Sequence, residues 1–266
     1  MIRFTKAHAY GNDFLYVLQS EVGGASHPAL AREMCHRTTG IGADGLIIYA
    51  PSPAGASMRL FNADGSHAEV SGNGVRALAA LLAMRAGAGT LELTIDTEGG
   101  TKRLTRLERD GNRQLFRAAM GLPTGLHQTQ ISAGGETLDA VVLNIGNPQL
   151  IVLGPLPGAE RFNRLGAALE HHERFPEGTN IEFVQIEAPD RLRIRIWERG
   201  CGPTSSSGTG SCASLIAAAE YGGAARDAEV IAPGGTQRVQ WTDESVFLTG
   251  WAEVLCEGEW LRPLPA

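Results

Sequence analysis

An internal repeat with a period of half the chain is the feature that most constrains the fold. SGNG begins at Ser71 and SGTG at Ser207, an offset of 136 residues in a chain of 266. Nearly the same offset relates Gly11 of GNDFLYV to Gly146 of GNPQLIV. Self-similarity at a fixed spacing is typical of a duplicated structural unit. The sequence therefore predicts two similar halves.

Each half has the same succession of secondary-structure patterns. A strand-like run, SMRLF in the first half and RLRIRIW in the second, ends ten residues before the serine. After the serine comes a stretch of small and apolar residues typical of a helix, GVRALAALLAMRAG or GSCASLIAAAEYGG, and then a strand pattern, LELTID or QRVQWT. We therefore expect an α/β (α+β) fold of two pseudo-symmetric domains with a cleft between them.

The turn-forming stretch GLPTG marks the expected domain boundary. It follows the strand-like RQLFRAAM, so the first domain is predicted to cover residues 1–120 and the second residues 121–251. The last strand pattern lies within 252–266. We expect it to return to the first domain, although the sequence leaves its partner strand open.

Composition and charge exclude several classes of protein. The longest uncharged apolar run, residues 77–84, is far shorter than the roughly 20 residues of a membrane span, and the N-terminal sequence has no apolar signal segment. The net charge is -6, so no global field attracts nucleic acid. We therefore expect a cytoplasmic protein with neither a membrane nor a nucleic acid as partner. The four cysteines form no CxxC pair and no cluster with histidine, so neither a disulfide framework nor a metal site is predicted.

The motif GIGADG, residues 40–45, matches G-x-G-x-x-G, but its context differs from that of a dinucleotide site. The dinucleotide fingerprint follows a strand and opens a helix. Here the helix-like ALAREMCHRTT precedes the motif and the strand-like LIIY follows it. The sequence therefore favours a turn at these residues.

The two SG motifs admit two interpretations. Each places a serine and glycines where a loop turns into a helix, so that unpaired backbone N–H groups can bind a carboxylate. The alternative is that Ser71 and Ser207 simply cap their helices. Because the motifs are paired in the two halves, we favour a shared anion site. Arg199 follows a strand directly, and it can either clamp a carboxylate or form a surface ion pair.

Six segments together resemble the motif series of the diaminopimelate epimerase family. They occur in the family's order over nearly the whole chain: FTKAHAYGNDF, GIGADG, FNADGSHAEVSGNGVR, NIGNP, EGTNIEF and WERGCGPTSSSGTGSCA. The resemblance implies two α/β domains, each a barrel-like sheet around a central helix. It also implies a small-molecule amino-acid substrate whose α-carbon is inverted without PLP or any other cofactor. A homodimer is one assembly open to such a chain.

The family's two catalytic cysteines correspond to serines in this sequence. In the family, one thiolate removes the α-proton and a thiol on the opposite face returns one. These cysteines precede GNG and GTG, which assigns the catalytic positions to Ser71 and Ser207. The histidine expected after NIGNP is Gln149, and the glutamate expected in the following glycine loop is Pro203. The proton-transfer groups are therefore changed.

The family's ligand-binding positions are retained. The resemblance assigns the contacts with the distal carboxylate and amine, with two matching neighbours, to Asn62, Asn147, Asn180, Arg199, Asn12 and Glu198. It assigns the cradle of the reacting α-carboxylate to Gly72, Asn73, Gly208 and Thr209. Three of the asparagines, at positions 62, 147 and 180, lie at strand ends beside turns, where asparagine is also common for conformational reasons.

The two serines make proton transfer harder. An alcohol has a pKa roughly five pH units above the thiol value of about 8.5, so forming the base costs about 7 kcal/mol more. A neighbouring group can take the serine proton, and the candidates are Asp64, His67, Glu69 and Glu198.

Three functions remain open. The chain is an epimerase of diaminopimelate (LL to meso, for lysine and peptidoglycan precursors) or a similar amino diacid, an isomerase with a carboxylate base such as Glu69 or Glu198, or a binding protein without turnover. Because ligand positions survive in both halves, we favour the epimerase.

Overall fold

The computed structural model describes residues 1–84, 86, 91–263 and 265. The chain forms two compact units: the first contains Met1–Ala118 and Gly250–Ala266, and the second contains Ala119–Thr249. Residues 85 and 87 of the predicted helix GVRALAALLAMRAG lie outside the described residues. Residues 264 and 266 of the predicted C-terminal strand segment also lie outside them.

The two units have similar but not identical successions of elements along the chain. Those of the first unit are β1 (Ile2–Ala9), β2 (Asn12–Leu18), α1 (Gln19–Val22), α2 (His27–Cys35), β3 (Gly45–Ser52), β4 (Gly55–Asn62), β5 (His67–Ala68), α3 (Gly72–Met84), β6 (Leu91–Thr97), β7 (Gly100–Asp110) and β8 (Arg113–Ala119). Those of the second unit are β9 (Thr124–Ala133), β10 (Glu136–Asn144), β11 (Pro148–Leu153), α4 (Ala159–Glu170), β12 (Asn180–Ala188), β13 (Arg191–Glu198), β14 (Gly202–Thr204), α5 (Gly208–Tyr221), β15 (Asp227–Ala232) and β16 (Gly235–Trp241). The last strand, β17 (Val246–Trp260), belongs to the second unit up to Thr249 and to the first from Gly250.

Eight strands of the first unit close into a barrel. Their order around the ring is β1, β2, β3, β4, β6, β7, β8 and β17, and β17 pairs with β1 to close it. The β2–β3 and β4–β6 pairs are parallel, which requires crossover connections; α1 and α2 provide the first and α3 the second. The ring therefore has no free edge.

The helix α3 is the central helix of this barrel. It contacts β1, β2, β6 and β7, and its small and apolar residues are buried on all sides, as expected for an enclosed helix. Strand β3 has apolar residues on both faces. Ile47 lies against Gly74 of α3, whereas Leu46 and Ile48 pack with Leu30 of α2 on the other face. The continuous apolar run GLIIYA is therefore buried between two helices.

The second unit repeats this plan around α5. The pairs β11–β12 and β13–β15 are parallel, and α5 contacts β10, β11, β12, β13, β15 and β16. On the opposite face of the sheet, Phe162 and Leu165 of α4 pack with Phe183 of β12. The Met120 amide donates to the Val246 carbonyl at 2.8 Å, which links the segment before β9 to the start of β17.

Equivalent residues of the two units lie 135 or 136 positions apart. Phe14 pairs with Gly45 in the parallel β2–β3 ladder, and Gln149 pairs with Asn180 in the parallel β11–β12 ladder. Both central helices begin directly after the serine of their SG motif. The predicted α/β fold of two similar barrel-like units is therefore confirmed.

GIGADG forms a turn, as the sequence analysis favours. The helix α2 ends at Cys35 and β3 begins at Gly45. Gly42 has a φ of +83°, a conformation that favours glycine. A Cβ on Gly40 would lie 2.7 Å from the Met34 carbonyl oxygen, so the close approach of the chain to α2 also requires glycine.

The most apolar helices, α3 and α5, are short. They contain 13 and 14 residues. Across the part of the chain that the structure describes, no helix combines the length and apolar character needed to cross a membrane.

Candidate active site

Ser71 precedes the first turn of α3, the central helix of the first unit. Its Oγ accepts a hydrogen bond from the Gly74 amide at 3.1 Å, and its carbonyl accepts one from the Val75 amide at 2.8 Å. This is the geometry of a helix N-cap, so the capping interpretation is confirmed for Ser71. A hydroxyl that accepts from the helix keeps its own proton for a second partner.

Asn73 is buried in the first turn of α3 and connects this helix to β2. Its Nδ2 donates to Asn12 Oδ1 at 3.3 Å, and Asn12 Nδ2 donates to Asp44 Oδ2 at 2.7 Å. Two predicted ligand residues are thereby brought together beside Ser71 and Gly72. We call Asn12, Asp44, Ser71, Gly72 and Asn73 the first half-site.

Asn62 ends β4 opposite Gly45. Its Nδ2 donates to Ser66 Oγ at 3.0 Å, and its carbonyl accepts from the Gly65 amide at 2.8 Å. The side chain therefore holds the turn after β4, which agrees with the conformational reason for an asparagine here. Its predicted contact with a ligand stays a prediction.

A cluster of charges supports the first half-site. Arg37 Nη2 lies 2.8 Å from Asp13 Oδ1 and 2.7 Å from Asp44 Oδ1, and Lys6 Nζ lies 2.9 Å from Asp13 Oδ2. Partial burial acts to raise the pKa of Asp13, but hydrogen bonds and charge from Arg37 and Lys6 outweigh it and hold this pKa below its ordinary value. The cluster therefore fixes the carboxylate that orients Asn12.

Ser207 caps α5, the central helix of the second unit, in the same way. Its Oγ accepts from the Gly210 amide at 3.1 Å, and its carbonyl accepts from the Ser211 hydroxyl at 2.8 Å. Thr209 Oγ1 lies 3.5 Å from Ser207 Oγ. Ser207 is 4% exposed, whereas Ser71 is partly exposed. The two serines therefore occupy equivalent positions, and the second is the more enclosed.

Asn180 is buried at the start of β12 and joins two loops of the second unit. Its Nδ2 donates to the Pro148 carbonyl at 2.9 Å, and its Oδ1 accepts from the Arg199 amide at 3.1 Å. The Arg199 side chain is exposed, and its Nη1 donates to the Glu177 carbonyl at 3.3 Å. Within the described residues Arg199 forms no salt bridge, so the ion-pair interpretation has no support and the guanidinium keeps donors for a ligand.

Gln149 is fully buried at the start of β11, and the sequence analysis treats it only as a departure from the family. One end of its amide lies 3.0 and 3.2 Å from the two carboxyl oxygens of Glu182. The other end lies 2.6 Å from Asn147 Oδ1 and 3.2 Å from Thr209 Oγ1. This buried amide therefore brings two predicted ligand residues together. We call Asn147, Gln149, Glu182, Ser207 and Thr209, with Gly208 between the last two, the second half-site.

Glu182 is a functional candidate that the sequence analysis does not identify. It is fully buried in β12 and faces α5, where a Cβ on Gly210 would lie 2.9 Å from its Cδ. Burial raises the pKa of Glu182 well above its ordinary value, and repulsion from Glu198 on β13 raises it further. The signal in the sequence is a charged residue inside the apolar strand NIEFVQI.

The candidate bases near Ser71 in sequence have other partners. Asp64 accepts a hydrogen bond from the amide two residues later at 2.7 Å, and His67 Nε2 lies 2.7 Å from Glu98. Glu69 is exposed. Within the described residues, none of the three hydrogen-bonds to Ser71, so its hydroxyl depends on the helix for its orientation.

The remaining departures lie near the second central helix in sequence. Pro203 lies on β14 opposite Trp197 of β13. Because proline replaces the family's glutamate, this place carries no ionisable group. Glu198 ends β13 and is partly buried. Cys201 is exposed, whereas Cys212 is buried in the apolar core around α5. Among the described residues, no three His, Cys, Asp or Glu side chains are grouped so that they could hold a metal ion.

Comparison with known proteins identifies the family. The chain matches the family described as diaminopimelate epimerase over residues 4–124 and 141–255. A curated diaminopimelate epimerase of Desulforudis audaxviator (strain MP104C) is 38% identical over 279 residues, which cover 98% of this chain and 100% of the relative. The protein of the same name from Prochlorococcus marinus (strain MIT 9313) is 39% identical over 289 residues, which cover 99% and 94%. A solved structure described as a predicted epimerase from Pseudomonas aeruginosa has the same fold, with a TM-score of 0.77, 18% identity and coverage of 99% and 100%. With both half-sites inside the matched ranges, the chain belongs to the diaminopimelate epimerase family.

Proposed function

We propose that the chain is a PLP-independent amino-acid epimerase that acts on diaminopimelate, or on a similar amino diacid. In this proposal Ser71 and Ser207 exchange the α-proton of the substrate. The observation that carries it is the shared geometry of the two serines. Each caps a buried central helix, and each Oγ accepts from the amide three residues later at 3.1 Å.

This geometry favours proton transfer by an alcohol. The positive end of a helix dipole and an amide donor both stabilise negative charge on the serine oxygen. The cap leaves the hydroxyl proton free to be donated to a carbanion. Forming the base from an alcohol costs about 7 kcal/mol more than forming it from a thiol, and these effects offset only part of this cost. Turnover is therefore expected to be slow relative to a two-thiol enzyme.

The same two helix ends support binding of the α-carboxylate. The first amides of a helix have no intrahelical acceptor, and Ser71 and Ser207 take only the third. We assign the α-carboxylate to the helix ends themselves, at Gly72 and Asn73 of α3 and at Gly208 and Thr209 of α5.

The distal end of the substrate is assigned to polar groups around the exposed Arg199 side chain. The Arg199 guanidinium can bind a carboxylate with two parallel hydrogen bonds, and Asn180 holds its backbone in place. Asn12, Asn62, Asn147 and Glu198 complete the polar set that we assign to the distal carboxylate and amine.

Exchange of the α-proton in D2O tests the catalytic assignment. Diaminopimelate would be followed by NMR with the parent chain and with Ser71→Cys plus Ser207→Cys. The double variant should exchange faster, because a thiolate forms near neutral pH. Each single variant should gain less, since inversion needs both groups. Adding Gln149→His tests whether a histidine there raises the rate further.

The control is Ser132→Cys, which introduces a thiol on an exposed strand of the second unit. It should leave the exchange rate unchanged. If the double and triple variants fold and bind the ligand but exchange no faster than the parent, another base carries the reaction and this assignment fails.

Calorimetry tests the substrate assignment separately. Arg199→Ala should weaken binding of diaminopimelate by at least about tenfold, the usual range for a charged hydrogen-bonded contact. Arg191→Ala removes an exposed arginine that pairs with Glu187 and serves as the matched control. Equal affinity of the two variants, or no binding at millimolar ligand, contradicts the proposal.

We also propose that the chain works as a homodimer in the cytoplasm. Leu107 on β7 and Leu255 on β17 are 47% and 46% exposed, which gives the first unit apolar surface that a second copy can cover. Light scattering should give twice the chain mass, and fractionation of the native cell should place the protein in the cytoplasm. A monomer at micromolar concentration would contradict the dimer.

A further inference from the structure

The N-terminus of α5 contacts a polar pair, whereas the N-terminus of α3 contacts an apolar pair. At Gly74 the nearest side chains include Ile47 and Phe14. In the second unit the residues 135 positions later are Glu182 and Gln149, and both are fully buried. A buried carboxyl group is costly unless it is hydrogen-bonded, so its presence at only one of two equivalent places calls for a role.

The polar pair begins a chain of contacts that ends at a serine. A Glu182 oxygen lies 3.0 Å from the Gln149 amide, the other end of this amide lies 3.2 Å from Thr209 Oγ1, and Thr209 Oγ1 lies 3.5 Å from Ser207 Oγ. The last contact is the longest and lies at the outer limit of a hydrogen bond between two hydroxyl groups. All four residues belong to the second unit.

The side-chain amide of Gln149 can take two orientations between Glu182 and Thr209. The charge on Glu182 selects between them. A neutral Glu182 has an O–H that donates to Gln149 Oε1, which turns Gln149 Nε2 toward Asn147 and Thr209. An ionised Glu182 has only acceptors, so it draws Gln149 Nε2 toward itself and leaves Oε1 facing Thr209.

The orientation of the amide decides the role of Thr209. When Gln149 Nε2 donates to Thr209 Oγ1, the Thr209 hydroxyl is free to donate to Ser207 Oγ. Ser207 then accepts from both Thr209 and the Gly210 amide, and its own proton points to a ligand. When Gln149 Oε1 faces Thr209, it accepts the Thr209 proton, and Thr209 can only accept from Ser207.

We propose that Glu182 is a positioning residue whose protonation, passed through Gln149 and Thr209, sets whether Ser207 offers its proton to the substrate. The inference rests on the proposed function, because it concerns the serine assigned to proton transfer in the second half-site. It makes the two serines unequal: Ser207 responds to pH through Glu182, and Ser71 does not.

The surroundings of Glu182 favour its neutral form. The residues opposite it on β11 and β13 are Ile151 and Ile196, both apolar. The charged group that acts on Glu182 is Glu198 at the end of β13, whose charge opposes a second negative charge. The arginines of β13, at positions 191, 193 and 195, alternate with the apolar residues that include Ile196. Burial and the repulsion from Glu198 raise the pKa of Glu182 well above its ordinary value and so favour the neutral form.

The test uses an introduced thiol as a reporter and needs no substrate. Ser207→Cys would be made in a chain with Cys201→Ser and Cys256→Ser, because these two thiols are exposed. Its alkylation by iodoacetamide would be measured from pH 6 to 10, with and without Glu182→Gln. The same pair of measurements with Ser71→Cys is the control.

Glu182→Gln mimics the neutral acid at every pH, since its amide can donate to Gln149. It should therefore lower the pH of half-maximal alkylation at position 207 by about one unit, the effect of one hydrogen bond to a charged group. The pH profile of alkylation at position 71 should stay unchanged. Thr209→Val removes the hydroxyl that connects Gln149 to position 207, so it should remove the effect of Glu182→Gln. If the effect survives Thr209→Val, it is a direct charge effect and the proposal is wrong.

An unchanged pH profile at position 207, or an equal shift at position 71, also overturns the proposal. Circular dichroism would show whether each variant folds. If Glu182→Gln does not fold, Thr209→Val alone should change the pH profile at position 207 from two inflections to one, and an unaltered profile overturns the proposal. A failed exchange assay with diaminopimelate would leave these alkylation results intact, so the two proposals fail separately.

Discussion

Gly210→Ala measures how firmly the buried carboxyl group is held against α5. The new Cβ would lie 2.9 Å from Glu182 Cδ and 3.1 Å from Ser207 Cβ, and it would come closer still to Glu182 Oε1. Ordinary contacts between heavy atoms are about 3.5 to 4.0 Å. The carboxyl group must therefore retreat by about 1 Å, and this movement breaks its contact with Gln149.

Two opposing effects set the magnitude. Alanine is favoured over glycine inside a helix by about 1 kcal/mol. Leaving a buried polar group without its partner costs about 1–3 kcal/mol. The net result is a loss of up to about 2 kcal/mol in the free energy of unfolding, or a fall in Tm of about 4–8 °C for a chain of this size.

Gly74→Ala is the matched control, because Gly74 holds the equivalent position in α3. There the new Cβ would lie 2.8 Å from Ile47 Cδ1, 3.4 Å from Ser71 Cβ and 3.6 Å from Phe14 Cε2. The end of an isoleucine side chain moves without losing a hydrogen bond. This variant should therefore be as stable as the parent or gain up to about 1 kcal/mol. Urea unfolding and thermal melts would compare the stabilities of the two variants. A free energy of unfolding of Gly210→Ala equal to or above that of Gly74→Ala would refute the reasoning.

Three further predictions concern the core, acid stability and thiols. Arg106→Met should cost about 2–3 kcal/mol in urea unfolding, because buried Arg106 donates to the Ala83 carbonyl near the end of α3 at 3.1 Å, whereas the exposed Arg103→Met on the same strand should change little. The pKa of Asp13 is lowered in the folded chain, so the stability it contributes is complete above its unfolded value of about 3.9 and is lost as pH falls through the folded value. Arg37→Gln should therefore flatten the loss of stability below pH 4, and an unchanged acid limb in urea titrations would contradict this. Thiol alkylation should not inhibit exchange by the parent chain, because burial raises the pKa of Cys35 to about 12 and Cys212 is fully buried; inactivation with protection by substrate would instead implicate Cys201 or Cys212.

The sequence reveals the features that repeat, because repetition is visible without knowledge of contacts. The paired SG motifs predict two helix N-termini, and the strand patterns before them predict two similar α/β halves. The barrel form of each half is implied only by the family resemblance. Local capping rules suffice for Ser71 and Ser207, since the partner amide of each is only three residues away.

The polar pair beneath α5 is harder to predict, because it depends on pairing between strands far apart in sequence. Gln149 stands 33 residues before Glu182, and they meet only because β11 and β12 pair in parallel. β12 is buried on both faces, so hydrophobic periodicity does not reveal that Glu182 faces the helix. The cluster around Asp13 and Arg37 is missed for a similar reason, because one partner lies on a strand and the other in a turn.

The way the chain uses β17 has a consequence for its synthesis. Ile2 pairs with Trp260, so the first barrel can be completed only after the whole second unit has been synthesised. The second unit is one continuous segment and can close earlier. During translation the edges of β1 and β8 therefore stay unpaired until β17 has been synthesised. Nascent chains stalled before Gly250 should be the species that most need a chaperone.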